Sequence, residues 1–129
     1  MHIRPYRHSD FKTIASWWTD RGDIAPHQGM LVEDGTFVLE DAVGPIMSQT
    51  ILTTQSKDIC ILEFFCKNSN RPVERGVEQV LWKHCFDWAK SQGYKYVVGY
   101  SKVERIFPRL EAAGMTRSMG GLQSFFKEL

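Results

Sequence analysis

From Cys66 to Gly76 the chain reads Cys-Lys-Asn-Ser-Asn-Arg-Pro-Val-Glu-Arg-Gly, and these residues are suited to holding an anion. The run leads from an apolar, strand-like stretch into a long helical pattern. The first amides of a helix lack intrahelical partners, and the helix dipole adds roughly half a positive charge there. A helix start is therefore a ready anion site. Arg71 and Arg75 add guanidinium forks that match phosphate oxygens. Gly76, having no Cβ, lets a ligand approach the backbone. Glu74 suits a helix start without needing any ligand. The competing reading is an ordinary surface helix capped by Asn70, with a proline and two arginines in its first turn.

Other reactive residues are sparse. Cys60, Cys66 and Cys85 are odd in number and form no C-x-x-C pair, so neither a disulfide framework nor a zinc site is expected. Cys60 and Cys66, six apart on one strand, should point to the same face as small buried hydrophobes. His2, His8, His27 and His84 show no metal-ligand spacing, and no metal is expected. The 129 residues are enough for one core and one domain, 1–129, with 43% hydrophobic and 24% charged residues. A formal net charge of +1 gives no reason to expect nucleic acid or an anionic membrane as partner. The apolar runs are too short to span a bilayer. The opening MHIRPYRHSD has no signal-like segment, so a cytoplasmic protein is expected.

The elements that must position these residues follow from periodicity. Residues 2–6 read as a strand. Residues 11–19 read as a helix capped by Ser9-Asp10, with Phe11, Ile14, Ala15 and Trp18 on one face. Residues 26–33 are either a short helix or a loop. Strands are expected at 36–40, 45–54 and 59–67, as an antiparallel meander. A long helix is expected over 72–91, started by Asn70 and Pro72 and closed by Gly93. Val77, Val80, Leu81, His84, Cys85 and Trp88 form its stripe. Trp82, Phe86 and Ala89 widen that stripe, which calls for either a second covering layer or a contact between copies in a homo-oligomer. A strand over 94–100, a helix over 103–113 and a last strand near 121–127 complete an α+β pattern.

This order of elements, over nearly the whole chain, resembles the GNAT (Gcn5-related N-acetyltransferase) family. Arg71 to Gly76 resembles the family's Arg/Gln-x-x-Gly-x-Gly/Ala turn, with Glu74 at the first glycine's position. A second register places Gly76 at the first glycine, Val73 at the arginine and Glu78 at the last glycine; it keeps fewer matches. Asp87-Trp88-Ala89-Lys90-Ser91-Gln92-Gly93-Tyr94 is similar to the close of the family's cofactor helix. Leu110-Glu111-Ala112-Ala113-Gly114-Met115 is similar to its Leu/Tyr-Glu-x-x-Gly-Phe.

The resemblance implies a GNAT-like domain with a central, mostly antiparallel sheet flanked by helices. It implies transfer of an acetyl group from acetyl-CoA to a primary amine of a small molecule or protein by direct attack, with no metal. The cofactor would lie along Phe65, Cys66 and Lys67 and at the turn of Arg71, Glu74, Arg75, Gly76 and Val77, with Ser101 and Arg105 beside it. Glu63 would take the amine's proton, and Tyr100 would act as acid on the thiolate in place of the family's tyrosine, which here is Leu110. Trp17, His27 and Glu40 fall on the acceptor side. The alternative is a GNAT-shaped structural or interaction module without catalysis, to which Glu74 and Leu110 both point. Thiol chemistry at Cys66 is a third reading, with no histidine placed to activate it.

Overall fold

The computed structural model describes residues 1–101, 103–117 and 124–129. In chain order the elements are β1 (His2–Pro5), α1 (Phe11–Asp20), β2 (Thr36–Asp41), β3 (Gly44–Thr53), β4 (Ile59–Lys67), α2 (Val77–Ser91), β5 (Tyr96–Tyr100), α3 (Phe107–Ala112), β6 (Thr116–Arg117) and β7 (Ser124–Glu128). The strands form one sheet in the order β1-β2-β3-β4-β5-β7-β6. Only β4 and β5 run parallel, joined by the α2 crossover, and the other neighbours are antiparallel. The expected α+β order is present, with the two-residue β6 added. Of the last predicted strand, residues 121–123 lie outside the described residues.

Two cores form because the strands alternate their side chains across the sheet. On one face Phe37, Leu39, Met47, Cys60, Leu62 and Val97 pack with α2 and α3. On the other, Val38 and Cys66 pack with Tyr6 and with Ile14 and Trp17 of α1. The α1 stripe is therefore turned relative to the sequence reading: Trp17 is buried at 3% exposure and Trp18 is half-buried. Arg4 of β1 ties the helix start to the sheet, its two Nη groups each donating at 2.8 Å to a carboxylate oxygen of Asp10. Residues 26–33 resolve as a loop with a single 3-10 turn at Gln28–Met30.

Two expectations fail for local reasons. The long helix starts at Val77 instead of 72, because Gly76 takes φ 89, a left-handed conformation that a right-handed helix cannot run through. Residues 71–75 are therefore loop, and Asn70 caps nothing; its backbone N–H donates to Asn68 Oδ1. Cys60 and Cys66 do not share a face. Thr50 stands opposite Glu63 but Ser48 opposite Cys66, so Gln49 faces two residues, Phe64 and Phe65. This β-bulge shifts the alternation by one and sends Cys66 to the α1 side. The extra apolar width of α2 is covered within the chain, since Trp82 and Phe86 belong to the core that includes Phe107, Leu110 and Phe125.

Candidate active site

The bulge and the parallel pair together open a cleft. The β4–β5 ladder ends with Leu62 opposite Gly99, while β4 continues to Lys67. Where the strands part lies a cavity of about 290 Å³, walled by Glu63, Phe64 and Phe65 on one side and by Tyr100 and Ser101 on the other. Its floor is apolar, from Leu62, Trp82, Leu110, Met115 and Phe125. Phe64 has φ 58, the one positive φ at a non-glycine residue among the described residues. Such a conformation costs about 1–3 kcal/mol and persists only where surrounding contacts impose it. Those contacts come from Gln49, which is 1% exposed. Its Nε2 donates to the Glu63 carbonyl at 2.6 Å, and its Oε1 accepts from Trp82 Nε1 at 3.0 Å.

At the α2 start the amide of Val77 donates to Glu74 O at 3.3 Å and that of Gln79 to Gly76 O at 3.0 Å. The amides of Arg75, Gly76 and Glu78 have no partner among the described residues. A Cβ on Gly76 would find only Gln79 Nε2 within 4 Å, at 3.9 Å, so this backbone stands open. Three free amides at a helix N-terminus fit a phosphate group. The side chains nearby are divided. Glu74 and Arg75 point to solvent as exposed residues. Arg71 faces the β2–β3 turn, where its Nη2 meets Asp41 Oδ2 at 2.5 Å and its Nη1 donates to Gly44 O at 3.1 Å. The Arg71 hydrogen bond and the Val43 amide hold the Asp41 carboxyl below the usual carboxylate range. Glu78, 5% exposed, turns inward and pairs with Arg109 Nη1 of α3 at 3.1 Å.

The predicted residues are only partly brought together. Glu63, Phe65, Tyr100, Ser101 and Arg105 line the cleft. Ser101 Oγ accepts from the Val103 amide at 3.1 Å and shapes the turn after β5. Three acceptor-side residues lie elsewhere. Trp17 is in the α1 core. His27 is exposed and its Nδ1 accepts from the Gly29 amide at 3.1 Å. Glu40 is bound by Arg4 Nε and His2 Nε2, both at 2.9 Å. In their place the cleft has Trp18, with the Arg21 guanidinium 4.6 Å above its ring, and Asp23, whose carboxylate holds Arg21 at 2.7 Å.

Cys66 is fully buried, and burial pushes its thiol up; burial also pushes the Cys60 thiol up, there to about 11. Burial and the raised thiol both disfavour thiol chemistry at Cys66, since the thiolate is the reactive form. The site roles of Gln49 and Glu78 are not read from the sequence, and of the pair Trp17-Trp18 it is Trp18 that reaches the cleft. Only Gln49 carries a signal in the sequence, as a polar residue inside an apolar strand pattern. Among the described residues, no three His, Cys, Asp or Glu side chains gather into a metal-binding group. Nor is any helix among them long and apolar enough to cross a membrane.

No family model matches the chain, and no curated protein matches it in sequence. Solved structures do match it in fold. Rv2747 from Mycobacterium tuberculosis, in complex with CoA and NLQ, superposes with TM-score 0.80 at 12% identity, covering 100% of this chain and 99% of that one. Ribosomal-protein-alanine N-acetyltransferase from Brucella melitensis gives 0.76 at 12% identity, covering 100% of both chains. N-acetylglutamate synthase from Neisseria gonorrhoeae, complexed with coenzyme A and N-acetyl-glutamate, gives 0.79 at 13% identity, covering 99% of this chain and 35% of that one. The chain has the fold of the GNAT acetyltransferases.

Proposed function

We propose that this chain is an acyl-CoA-dependent N-acetyltransferase that moves the acetyl group of acetyl-CoA to a primary amine of a small molecule or protein. The observation that carries this reading is the cleft at the bulge of β4, on the same sheet-to-helix connection as the three free amides at the α2 start. The likeness to structures solved with CoA supports it. The pyrophosphate would rest on the amides of Arg75, Gly76 and Glu78, with Val77 anchoring that turn in the core. Phe65, Cys66 and Lys67 would line the pantetheine arm with their backbone, and Ser101 and Arg105 would flank it. Arg71 serves this site by holding the loop to the β2–β3 turn.

The chemistry requires few groups. The amine nitrogen attacks the thioester carbonyl, the new C–N bond forms, and the C–S bond breaks with the electron pair leaving on sulfur. Glu63 takes the amine's proton directly or through a water. The Tyr100 hydroxyl donates a proton to the departing thiolate, while Leu110 packs the floor. A backbone amide of the bulge stabilises the oxyanion. Acetyl-CoA incubated with a panel of primary amines, with thiol release followed colorimetrically, tests this. Glu63→Gln should lower the best rate by about 10²-fold. An unchanged rate in that variant would remove Glu63 from the role.

One observation favours the second reading, a cofactor-free interaction module. The Glu78 carboxylate lies in the first turn of α2, where it competes with an incoming phosphate for the helix dipole and for Arg109. Tighter binding of acetyl-CoA by Glu78→Ala than by the native chain would show that Glu78 tunes a working site. Absence of binding in both would favour the module.

A further inference from the structure

We infer that Gln49 is a positioning residue for the acetyl-transfer site: its side-chain amide aims the Phe64 N–H into the cleft. The inference rests on the acetyltransferase reading above and adds to it the residue that sets the oxyanion donor.

A peptide unit is planar and trans, so the carbonyl of one residue and the N–H of the next point in opposite directions. Gln49 Nε2 draws the Glu63 carbonyl toward β3 with a 2.6 Å hydrogen bond. The Phe64 N–H must then point away from β3, toward the side where β5 would lie. Beyond Leu62 and Gly99 that side of β4 has no ladder partner among the described residues, and the cavity opens there. Phe64, at φ 58, departs from extended strand geometry immediately after this peptide.

The clamp is itself held. Gln49 Oε1 accepts from Trp82 Nε1 at 3.0 Å, and its Nε2 also reaches the Thr50 carbonyl at 3.2 Å. The amide of Gln49 is therefore satisfied on both sides, and its direction is set by α2 through Trp82. The Trp82 ring also lies 5.4 Å from the Phe65 ring, so the same indole packs on the other residue of the bulge. A buried amide fully used in this way is a rigid element, because any rotation leaves a donor or acceptor unpaired. It also fixes the backbone of Glu63, the proposed base. Gln49, itself in the wall of the cleft, thus orients two groups of the reaction through the backbone of β4.

The test needs no acceptor. CoA and acetyl-CoA differ by the acetyl group alone, so the ratio of their dissociation constants reports the carbonyl contact. The infrared carbonyl stretch of [1-13C]acetyl-CoA bound to the protein reports polarisation directly. In the native protein, acetyl-CoA should bind more tightly than CoA, with the stretch moved to lower frequency. In Gln49→Met the ratio should fall by about five-fold, the value of one hydrogen bond. The carbonyl frequency should return toward its solution value, and CoA affinity should change less than two-fold.

Trp82→Phe keeps the Gln49 donor but loosens its anchor, and should give an intermediate ratio and frequency. It decides the matter if Gln49→Met fails to fold, as judged by circular dichroism. A ratio and frequency unmoved in folded variants would overturn the role of Gln49, as would equal weakening of both ligands. A folded native protein that binds neither ligand would instead overturn the acetyltransferase reading, and this inference with it.

Discussion

At the scale of single residues, the buried charges show most clearly what sequence can and cannot reveal. Arg4, Asp10 and Glu40 are unremarkable letters well separated in the chain, yet they meet between β1, α1 and β2. Burial alone would raise the Asp10 carboxyl. The Arg4 hydrogen bonds and the Arg7 amide outweigh it and hold the group below its ordinary value. A depressed folded-state value stabilises the native state above the unfolded carboxylate range, about pH 4. That contribution is lost as the pH falls through the depressed folded value. Thermal melts between pH 6 and pH 2 should therefore show an acid-side loss of Tm, shallower in Asp10→Asn, which starts lower; parallel profiles would contradict this. Glu78 was equally hidden. Its partner Arg109 lies 31 residues further on (109 − 78), on a different helix, and nothing in the first turn of α2 signals that this carboxylate is buried.

The secondary-structure elements were legible where periodicity is long, and illegible where one residue decides. The strands of the meander and the body of α2 follow directly from β-branched runs and the helical stripe. The start of α2 did not, because Asn70 and Pro72 mimic a cap and first turn, while the true boundary is the left-handed Gly76. The bulge was invisible for a related reason. Phe64 and Phe65 are both strand formers, and no glycine marks the left-handed position. That single extra residue opens the site, moves Cys66 to the second core, and makes the strand pattern after Glu63 unreadable by alternation.

The junction of β2 with the preceding loop gives a stability prediction at this scale. Gly35 has φ 124, and a Cβ there would sit 2.8 Å from Ile51 O, whose own amide donates to Gly35 O at 2.7 Å. Gly35→Ala should cost at least ~2 kcal/mol, from backbone strain and this contact together. Gly44→Ala, at φ 140 with nothing within 4 Å, should cost only the strain part. Equal denaturant midpoints for the two variants would contradict the packing account.

For the whole molecule, the element order carried the fold and the physics of parting strands carried the site. The α2 crossover places β5 beside β4 in parallel, and the mismatch in their lengths leaves a cleft at their C-terminal ends. The acceptor side was poorly legible, because Trp17, His27 and Glu40 follow from family analogy alone. The packing of α1 instead presents Trp18 and Arg21 to the cleft. A net charge of +1 supplies no general field for an anion, so the proposed cofactor site depends on local amides.

The most direct measurement is isothermal titration of the native chain with acetyl-CoA at low salt, beside Gly76→Trp. One site of micromolar affinity is expected in the native chain, lost in a variant that remains folded by circular dichroism. Absence of heat at millimolar acetyl-CoA from folded native protein, or equal affinity in Gly76→Trp, would contradict the α2 N-terminus as the pyrophosphate site.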